Sequence, residues 1–233
     1  MKIFIGIVNY NRSCFLREQI ARIDRYLLRA EDDRITIAIA DNSTNEDDRN
    51  VNQILCSELG IFYMDCDFNE GDPSLHHSLA LNVLHEKSLN EENDFTLFFD
   101  HDTFMFAPSN IIYDSREKHF AGIGQAKLGL VYMHPNCLLI NNKFVPREVI
   151  NMSPCEGMDT GGRLAKYISG LKTSDINHLS FEHKDFNYDG TNDIYEVLGG
   201  AFFHMIKGSN WNRNPKGNQR QEVLLNELQK ISK

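Results

Sequence analysis

Continuous apolar runs alternate with amphipathic segments along the first 105 residues of the chain. Such runs are typical of strands buried on both faces of a sheet, whereas apolar residues at helical spacing, as at Leu16, Ile20, Ile23 and Leu27, indicate a helix. The pattern predicts strands at Ile3–Val8, Ile35–Ala40, Ile61–Met64 and Phe95–Phe99, with helices between them at 16–27, 51–55 and 75–87. The order β-α-β-α-β-α-β is that of an α/β fold with a mainly parallel central sheet flanked by helices.

The pattern is less regular after residue 105. It predicts strands at Ala121–Gly124, Cys137–Ile140 and Ala201–Met205, helices at 161–171 and 221–231, and a polar loop at 184–193. No internal repeat, low-complexity segment or clear linker interrupts the sequence. We therefore expect the 233 residues to form a single domain.

The net charge of the chain limits the classes of partner that it is expected to bind. A formal net charge of -9 argues against a general nucleic-acid binder. The segment from Lys207 to Arg220 differs, because it carries basic residues and no acidic one. Two interpretations of this segment stay open: a solvated tail, or a contact for phosphates or for an anionic membrane surface.

The cysteines and the N-terminal residues indicate the cellular compartment in which the protein is expected. Five cysteines, an odd number without a C-x-x-C pair, are typical of free thiols in a reducing environment. The apolar stretch after Met1 is too short for a signal peptide, and no apolar run approaches the roughly 20 residues of a membrane span. We therefore expect a cytoplasmic protein, with peripheral contact at the inner face of the membrane if the basic segment binds lipid.

The strongest candidate for a functional motif is Asp100-His101-Asp102, which directly follows the fourth predicted strand. Two carboxylates one residue apart repel each other unless a cation lies between them, and Mg²⁺ and Mn²⁺ prefer oxygen ligands. Side chains alternate along an extended segment, so His101 should point away from the two carboxylates. Ligands of open α/β sheets bind outside the carboxyl ends of the strands, so Asn9, Asp41 and Asp100 should converge on one crevice.

Four segments occur in an order that resembles the GT-A fold glycosyltransferases, most of all their inverting family 2 type. They are Asn9-Tyr10-Asn11-Arg12, Asp41-Asn42-Ser43, Asn69-Glu70-Gly71 with the later Asn82, and Asp100-His101-Asp102 in the place of the DxD motif. The resemblance covers residues 1–105 well and the remainder weakly. It implies one GT-A domain, with a nucleotide-binding half at 1–105 and an acceptor-binding half and C-terminal tail at 106–233.

The resemblance also implies how a nucleotide-diphosphate sugar, with UDP as the expected nucleotide, would bind. Asn9, Asn11 and Asp41 would lie near the base and ribose, and Asp100 would contact both the ribose and the metal. Asp102, together with Asp100, would hold a Mn²⁺ or Mg²⁺ ion that bridges the two phosphates. On its own, Asp41-Asn42-Ser43 would equally fit a turn or a helix N-cap.

A third metal ligand is implied near the end of the chain. Many GT-A enzymes supply a C-terminal histidine, and some retaining members follow it with a lysine, a glycine and a tryptophan. His204, Lys207-Gly208 and Trp211 are similar to that pattern without matching it fully. The resemblance therefore implies His204 as a metal ligand and Lys207 as a phosphate contact, although a histidine in an apolar strand would also fit the core.

A base for the acceptor hydroxyl must reach that hydroxyl directly. In inverting GT-A enzymes an Asp or Glu of the second half has this role, which implies Asp159 here, with Glu156 as the second candidate. The alternative for Asp159 is an N-cap of the helix predicted after Gly162. His76 and His77 stand at the start of a predicted helix, where they would either pack at its end or face the diphosphate.

The sequence thus predicts a metal-dependent glycosyltransferase that moves a sugar from a nucleotide-diphosphate donor to a glycan or lipid-linked acceptor. One alternative is a GT-A-like domain that binds nucleotide or glycan without turnover. Another is a phosphohydrolase of the haloacid-dehalogenase type, which also carries Asp-x-Asp after a strand. The sugar, the acceptor and the anomeric outcome stay open.

Overall fold

The computed structural model describes residues 1–66, 72–155, 157–184, 195–206 and 217–232, without the side chains of 217–221. Several predicted features lie outside these residues: Glu156, the Asn69–Gly71 turn, the loop at 185–193, and the segment with Lys207 and Trp211. The strands are β1 (Lys2–Asn9), β2 (Arg34–Asp41), β3 (Phe62–Asp65), β4 (Phe95–Asp100), β5 (Thr103–Met105), β6 (Phe120–Lys127), β7 (Leu130–Asn141), β8 (Ile176–His178), β9 (Phe181–Lys184), β10 (Tyr195–Leu198) and β11 (Phe202–Met205). The α-helices are α1 (Ser13–Tyr26), α2 (Glu46–Leu59), α3 (Pro73–Asn90), α4 (Ile111–Asp114), α5 (Ala165–Ser169) and α6 (Gly217–Ile231).

The central sheet has seven strands in the order β3-β2-β1-β4-β7-β6-β8. Its β3-β2-β1-β4 half is parallel, and β7 runs antiparallel to both β4 and β6. The register pairs Asn9 with Asp41 and Val8 with Asp100, so the carboxyl ends of β1, β2 and β4 lie side by side. Asn9, Asp41 and Asp100 thus lie at one edge of the sheet, as predicted, but only Asp100 of the three lines the cavity there.

Helices cover both faces of this sheet because the side chains of β1 alternate between two cores. Ile3, Ile5 and Ile7 pack with apolar residues of α1 and α2, whereas Phe4 and Val8 pack with apolar residues of α3. On the α3 face, a Cβ at position 6 would lie 2.9 Å from Cδ1 of Phe98, so only glycine fits there.

A second, antiparallel sheet has the order β5-β11-β10-β9. It starts from the chain directly after β4, because β5 begins at Thr103. The amide of Met205 in β11 donates to the carbonyl of Asp102 at 2.9 Å. This sheet therefore brings residues near the end of the chain against the carboxyl edge of the central sheet.

The predicted first half is confirmed, with one helix much longer than expected. Helix α2 runs over Glu46–Leu59 rather than 51–55. The Asn45 side chain accepts from the amide of Asp48 at 3.1 Å, acidic residues fill the first turn, and Gly60 ends the helix at φ 65°. Polar capping thus extends a helix whose apolar pattern covers only its middle.

The second half departs further from the prediction. The helix predicted at 161–171 is a 3₁₀ turn at Gly162–Leu164 followed by the five-residue α5. Gly161, at φ 88°, turns the chain into this segment, and Gly170 ends it. Strands β5, β8, β9 and β10 were not predicted, and Lys184 of the predicted loop belongs to β9. Within the described part of the chain, no helix is long and apolar enough to cross a bilayer.

Candidate active site

A cavity of about 1010 Å³ lies between the carboxyl edge of the central sheet and the second sheet. Its lining comes from the loops after β1 and β2, the start of α3, the Asp100–Asp102 segment, strands β6 and β7, and the second sheet. The cavity is lined mainly by polar, charged and aromatic side chains, which include Tyr10, Asn42, Thr44, His77, Asp100, Asp102, His134, Asp159, Phe181, His183, Glu196 and His204.

Asp41 lies beneath this cavity and is fully buried. Oδ1 accepts hydrogen bonds from Nδ2 of Asn9 at 3.1 Å and from the amide and hydroxyl of Ser43. Oδ2 accepts from Nδ2 of Asn52 at 2.8 Å and from the hydroxyl of Tyr63 at 3.0 Å. The carboxylate therefore has its acceptor sites filled by the protein, and it holds the loop that follows β2.

Asn11 has a similar structural position in the loop after β1. Its backbone is left-handed at φ 48°, and Oδ1 accepts from the amides of Thr44 at 2.7 Å and Asn45 at 2.8 Å. Neither Asn9, Asn11 nor Asp41 lines the cavity, whereas their neighbours Tyr10, Asn42 and Thr44 do. The direct nucleoside contacts predicted for the three residues would thus have to be made by these neighbours, on loops that the three fix in place.

Asp100 lies at the end of β4, with Oδ1 2.8 Å from Nε2 of His77. Burial would raise the pKa of Asp100, but the charge and hydrogen bonding of His77 outweigh it and lower the pKa. Burial would likewise lower the pKa of His77, and Asp100 raises it instead. Gln19 of α1 donates to the carbonyls of Asp100 at 2.8 Å and Thr103 at 2.6 Å, which fixes the turn between β4 and β5.

Asp102 is 5% exposed, and its Oδ1 lies 3.7 Å from Nε2 of His204. The other ring nitrogen of His204, Nδ1, lies 2.9 Å from Oε2 of Glu196. Burial would lower the pKa of His204, but the Glu196 hydrogen bond and the charge of Asp102 raise it. His204 faces the cavity, so its position is not that of a core residue.

Asp159 lines the cavity from the segment before α5. Its Oδ1 accepts from the amide of Thr160 at 2.8 Å. Burial would raise the pKa of Asp159, yet hydrogen bonds from Ser74 and from the Thr160 amide lower it. The N-cap alternative is wrong, because neither the 3₁₀ turn after Gly161 nor α5 has a side-chain cap.

Four cavity residues were not assigned a role from the sequence. Glu196 and His183 of the second sheet contact each other, with Oε1 2.9 Å from Nε2. His134 of β7 lies in the same cavity, and its ring centroid is 6.3 Å from that of His204. Phe181 of β9 is 57% exposed and also lines the cavity, with its ring centroid 5.6 Å from that of His183. Only the pairing of strands brings these residues together.

The donor set suits a divalent metal without forming a closed site. Among the described residues, no group of three or more His, Cys, Asp or Glu side chains is arranged to hold an ion. Asp102 and His204 nevertheless face each other across 3.7 Å, with Asp100 beside them. Two carboxylates and an imidazole are ligands that Mn²⁺ accepts, and Mg²⁺ accepts the carboxylates. Further ligands would come from a diphosphate or from water.

No protein-family model and no curated protein sequence matches this chain. Several solved structures are similar to it. The mannosyltransferase PcManGT from Pyrobaculum calidifontis, solved with GDP-Man and Mn²⁺, is 9% identical at a TM-score of 0.51, over 69% of this chain and 50% of that one. The apo structure of the bifunctional glycosyltransferase WbbM is 11% identical at a TM-score of 0.50, over 76% of this chain and 38% of that one.

This chain thus spans half or less of the length of both solved chains. At these identities the likeness concerns the fold, and it agrees with the parallel half-sheet and the edge site described above. The family 2 subtype and the DxD role stay predictions. The predicted fold class is confirmed: the chain adopts the GT-A fold of nucleotide-sugar glycosyltransferases.

Proposed function

We propose that this chain is a metal-dependent glycosyltransferase that transfers a sugar from a nucleotide-diphosphate donor, with UDP as the expected nucleotide, to a glycan or lipid-linked acceptor. The observation that carries the proposal is the approach of His204 to Asp102, 3.7 Å apart at the carboxyl edge of a GT-A sheet. The two residues come from distant parts of the sequence, and strand pairing holds them face to face. Both PcManGT, solved with GDP-Man and Mn²⁺, and this chain have the same fold.

The charges of the cavity support a cation. Asp100, Asp102, Asp159 and Glu196 all line it, so a diphosphate would meet several carboxylates. An ion held by Asp100, Asp102 and His204 would remove that repulsion and, when bound, stabilise the negative charge on the departing nucleotide. His77 already balances Asp100 in the same way.

The other contacts with the donor would be made by residues of the chain. Tyr10, Asn42 and Thr44 line the end of the cavity next to β1 and β2, where the nucleoside is expected. Asn9, Asn11 and Asp41 would position those loops rather than contact the donor. Lys207 and Glu156, which lie outside the described residues, keep their predicted roles as phosphate contact and second candidate base.

Asp159 is the proposed base for the acceptor hydroxyl. The side chain lines the cavity, and a carboxylate is ionised at neutral pH, as proton abstraction requires. The acceptor would enter at the β9 end of the cavity, where the exposed ring of Phe181 can cover the apolar face of a sugar. The prediction of a cytoplasmic protein with membrane contact through residues 207–220 would suit a lipid-linked acceptor.

A single assay separates the candidate functions. The purified chain is incubated with a panel of nucleotide sugars and sugar acceptors, with Mn²⁺ or with EDTA, and released nucleotide is measured. Nucleotide release that needs both Mn²⁺ and acceptor supports transfer. Tight nucleotide binding without turnover on any acceptor would instead indicate a binding domain, and the GT-A fold already disfavours the haloacid-dehalogenase alternative, whose motif follows the first strand.

A further inference from the structure

A row of four side chains crosses the second sheet at one register position. Thr103 of β5 pairs with His204 of β11, His204 pairs with Glu196 of β10, and Glu196 pairs with His183 of β9. Cross-strand neighbours at one register point to the same face, and three members of the row, His183, Glu196 and His204, line the cavity. Glu196 therefore lies between two imidazoles, with an oxygen 2.9 Å from each.

Two groups compete for Nδ1 of His204. Oε2 of Glu196 lies 2.9 Å from it, and Nδ2 of Asn136 lies 3.3 Å from it. A carboxylate can only accept a hydrogen bond, whereas an amide nitrogen can only donate one. The amide of Asn136 cannot be turned round to accept, because its Oδ1 already accepts from the amide of Cys137 at 2.8 Å. The two contacts therefore demand opposite tautomers of His204.

The shorter and charge-assisted contact determines the outcome. A hydrogen bond to a carboxylate is roughly twice as strong as one between neutral groups. It is 0.4 Å shorter here than the amide contact (3.3 Å against 2.9 Å). The proton of the neutral imidazole is thus on Nδ1, which leaves the lone pair on Nε2, 3.7 Å from Oδ1 of Asp102.

We propose that Glu196 is a positioning residue that keeps His204 in the Nδ1-protonated tautomer and thereby presents its Nε2 lone pair to a divalent ion shared with Asp102. The inference rests on the proposed function for the identity of the ion, but the tautomer itself does not depend on it. When Glu196 is removed, Asn136 becomes the remaining partner of Nδ1. His204 then moves its proton to Nε2, where it faces Asp102 and blocks the metal.

The first experiment measures Mn²⁺ affinity by isothermal titration in the presence of UDP. We expect Glu196→Ala to weaken Mn²⁺ binding about 10- to 100-fold, the usual loss when a hydrogen-bond partner of a metal-bound histidine is removed. Glu196→Gln should lose less, because the amide oxygen of glutamine still accepts from Nδ1. Asn136→Ala added to Glu196→Ala should recover part of the loss, since no donor then holds the wrong tautomer.

Glu182→Ala is the matched control. Glu182 is a carboxylate of the adjacent strand β9 with 65% of its side chain exposed, and it pairs with Lys184 rather than with a cavity residue. It tests whether loss of any nearby negative charge explains the effect, and its Mn²⁺ affinity should equal that of the wild type. Equal losses in Glu182→Ala and Glu196→Ala would overturn the positioning role.

The second experiment reads the tautomer directly, without metal. The ¹⁵N shifts of the His204 ring, assigned with His204→Ala, should show protonated Nδ1 and bare Nε2 in the wild type at mildly alkaline pH. Glu196→Ala should reverse or mix the two states. An unchanged tautomer in Glu196→Ala overturns the inference whether or not Mn²⁺ binds. Absence of Mn²⁺ binding in the wild type, with the expected tautomer shift, would instead contradict only the metal part of the proposed function.

Discussion

His77 and Asp100 form an ion pair across the cavity, with Nε2 2.8 Å from Oδ1, and this pair ties the first turns of α3 to the end of β4. Asp100 raises the pKa of His77 against the effect of burial, which favours the protonated form of the imidazole. In its protonated form, His77 would offset part of the repulsion that a diphosphate meets in the cavity. Under the proposed function, the pair would therefore make His77 contribute to donor binding.

We expect His77→Gln to weaken UDP binding about 10-fold at saturating Mn²⁺, because the substitution leaves an uncompensated buried carboxylate beside the diphosphate. Calorimetric titration with UDP measures the effect. His119→Gln, which alters a histidine that contacts Tyr167 outside the cavity, should bind UDP normally. Equal UDP affinity in His77→Gln and the wild type would contradict the role of this ion pair.

Asp102→Asn should abolish Mn²⁺-dependent UDP binding while leaving the fold intact. The carboxylate is 5% exposed and faces His204, so its charge is expected to hold the ion. UDP titration with and without EDTA measures the dependence, and circular dichroism checks the fold. The control is Asp32→Asn, which makes the same substitution at an exposed turn residue. If Asp102→Asn still bound UDP more tightly with Mn²⁺ than with EDTA, the metal assignment would be wrong.

Asp159→Asn should reduce turnover about 10²- to 10⁴-fold, the range typical of a lost general base, with donor affinity almost unchanged. Asparagine keeps the acceptor for the Thr160 amide, so the local turn should persist. Steady-state kinetics give turnover, and titration with UDP gives donor affinity. Parallel losses in turnover and UDP affinity would assign Asp159 to positioning instead.

Phe181→Ala should raise the KM for the acceptor roughly 10-fold without a change in the KM for the donor, because covering an aromatic face is worth about 1.5 kcal/mol. The ring is 57% exposed and lines the cavity. Phe144→Ala is the control, since Phe144 is 41% exposed and stacks on His119 outside the cavity. An acceptor KM that stayed at the wild-type value would remove Phe181 from the acceptor site.

His85 makes the stability of the fold depend on pH. It is 2% exposed, neither ring nitrogen has a hydrogen-bond partner among the described residues, and burial lowers its pKa from 6.5 to about 4. Between those values the unfolded chain binds a proton that the folded chain does not, so stability falls as the pH drops from 6.5 toward 4. The shift corresponds to about 3 kcal/mol of unfolding free energy.

Replacement of this imidazole by His85→Leu should flatten that pH dependence. It should also stabilise the protein by about 1 kcal/mol near neutral pH, because an unpaired buried polar group disappears. Urea unfolding at about pH 7 and about pH 5 measures both effects. The same loss of stability on acidification in His85→Leu and the wild type would show that other groups cause it.

The sequence pattern predicted the parallel half of the sheet and the crevice at its edge, because β1, β2 and β4 are apolar throughout and each ends in a polar segment. It could not predict how far α2 extends, since Asn45 and Gly60 rather than apolar spacing set its ends. Asp41 was expected to contact the donor, but a residue type does not reveal that five protein donors already fill its carboxylate.

The second sheet shows the limit more clearly. Strands β9 and β10 are only four residues long, which is too short for a clear alternation of apolar and polar residues. The place of Glu196 and His183 in the candidate site is evident only from the strand register, which aligns them with His204. His204 itself was found through a resemblance to other enzymes, and its neighbours had no such guide.

The hydrogen bond from the Met205 amide to the carbonyl of Asp102 uses only main-chain atoms. This contact between the two sheets therefore does not depend on which side chain stands at position 102. A substitution at position 102 leaves both atoms of this hydrogen bond in place. The position most important for the proposed chemistry is thus one where new ligands, and new metal preferences, can be tried on an unchanged scaffold.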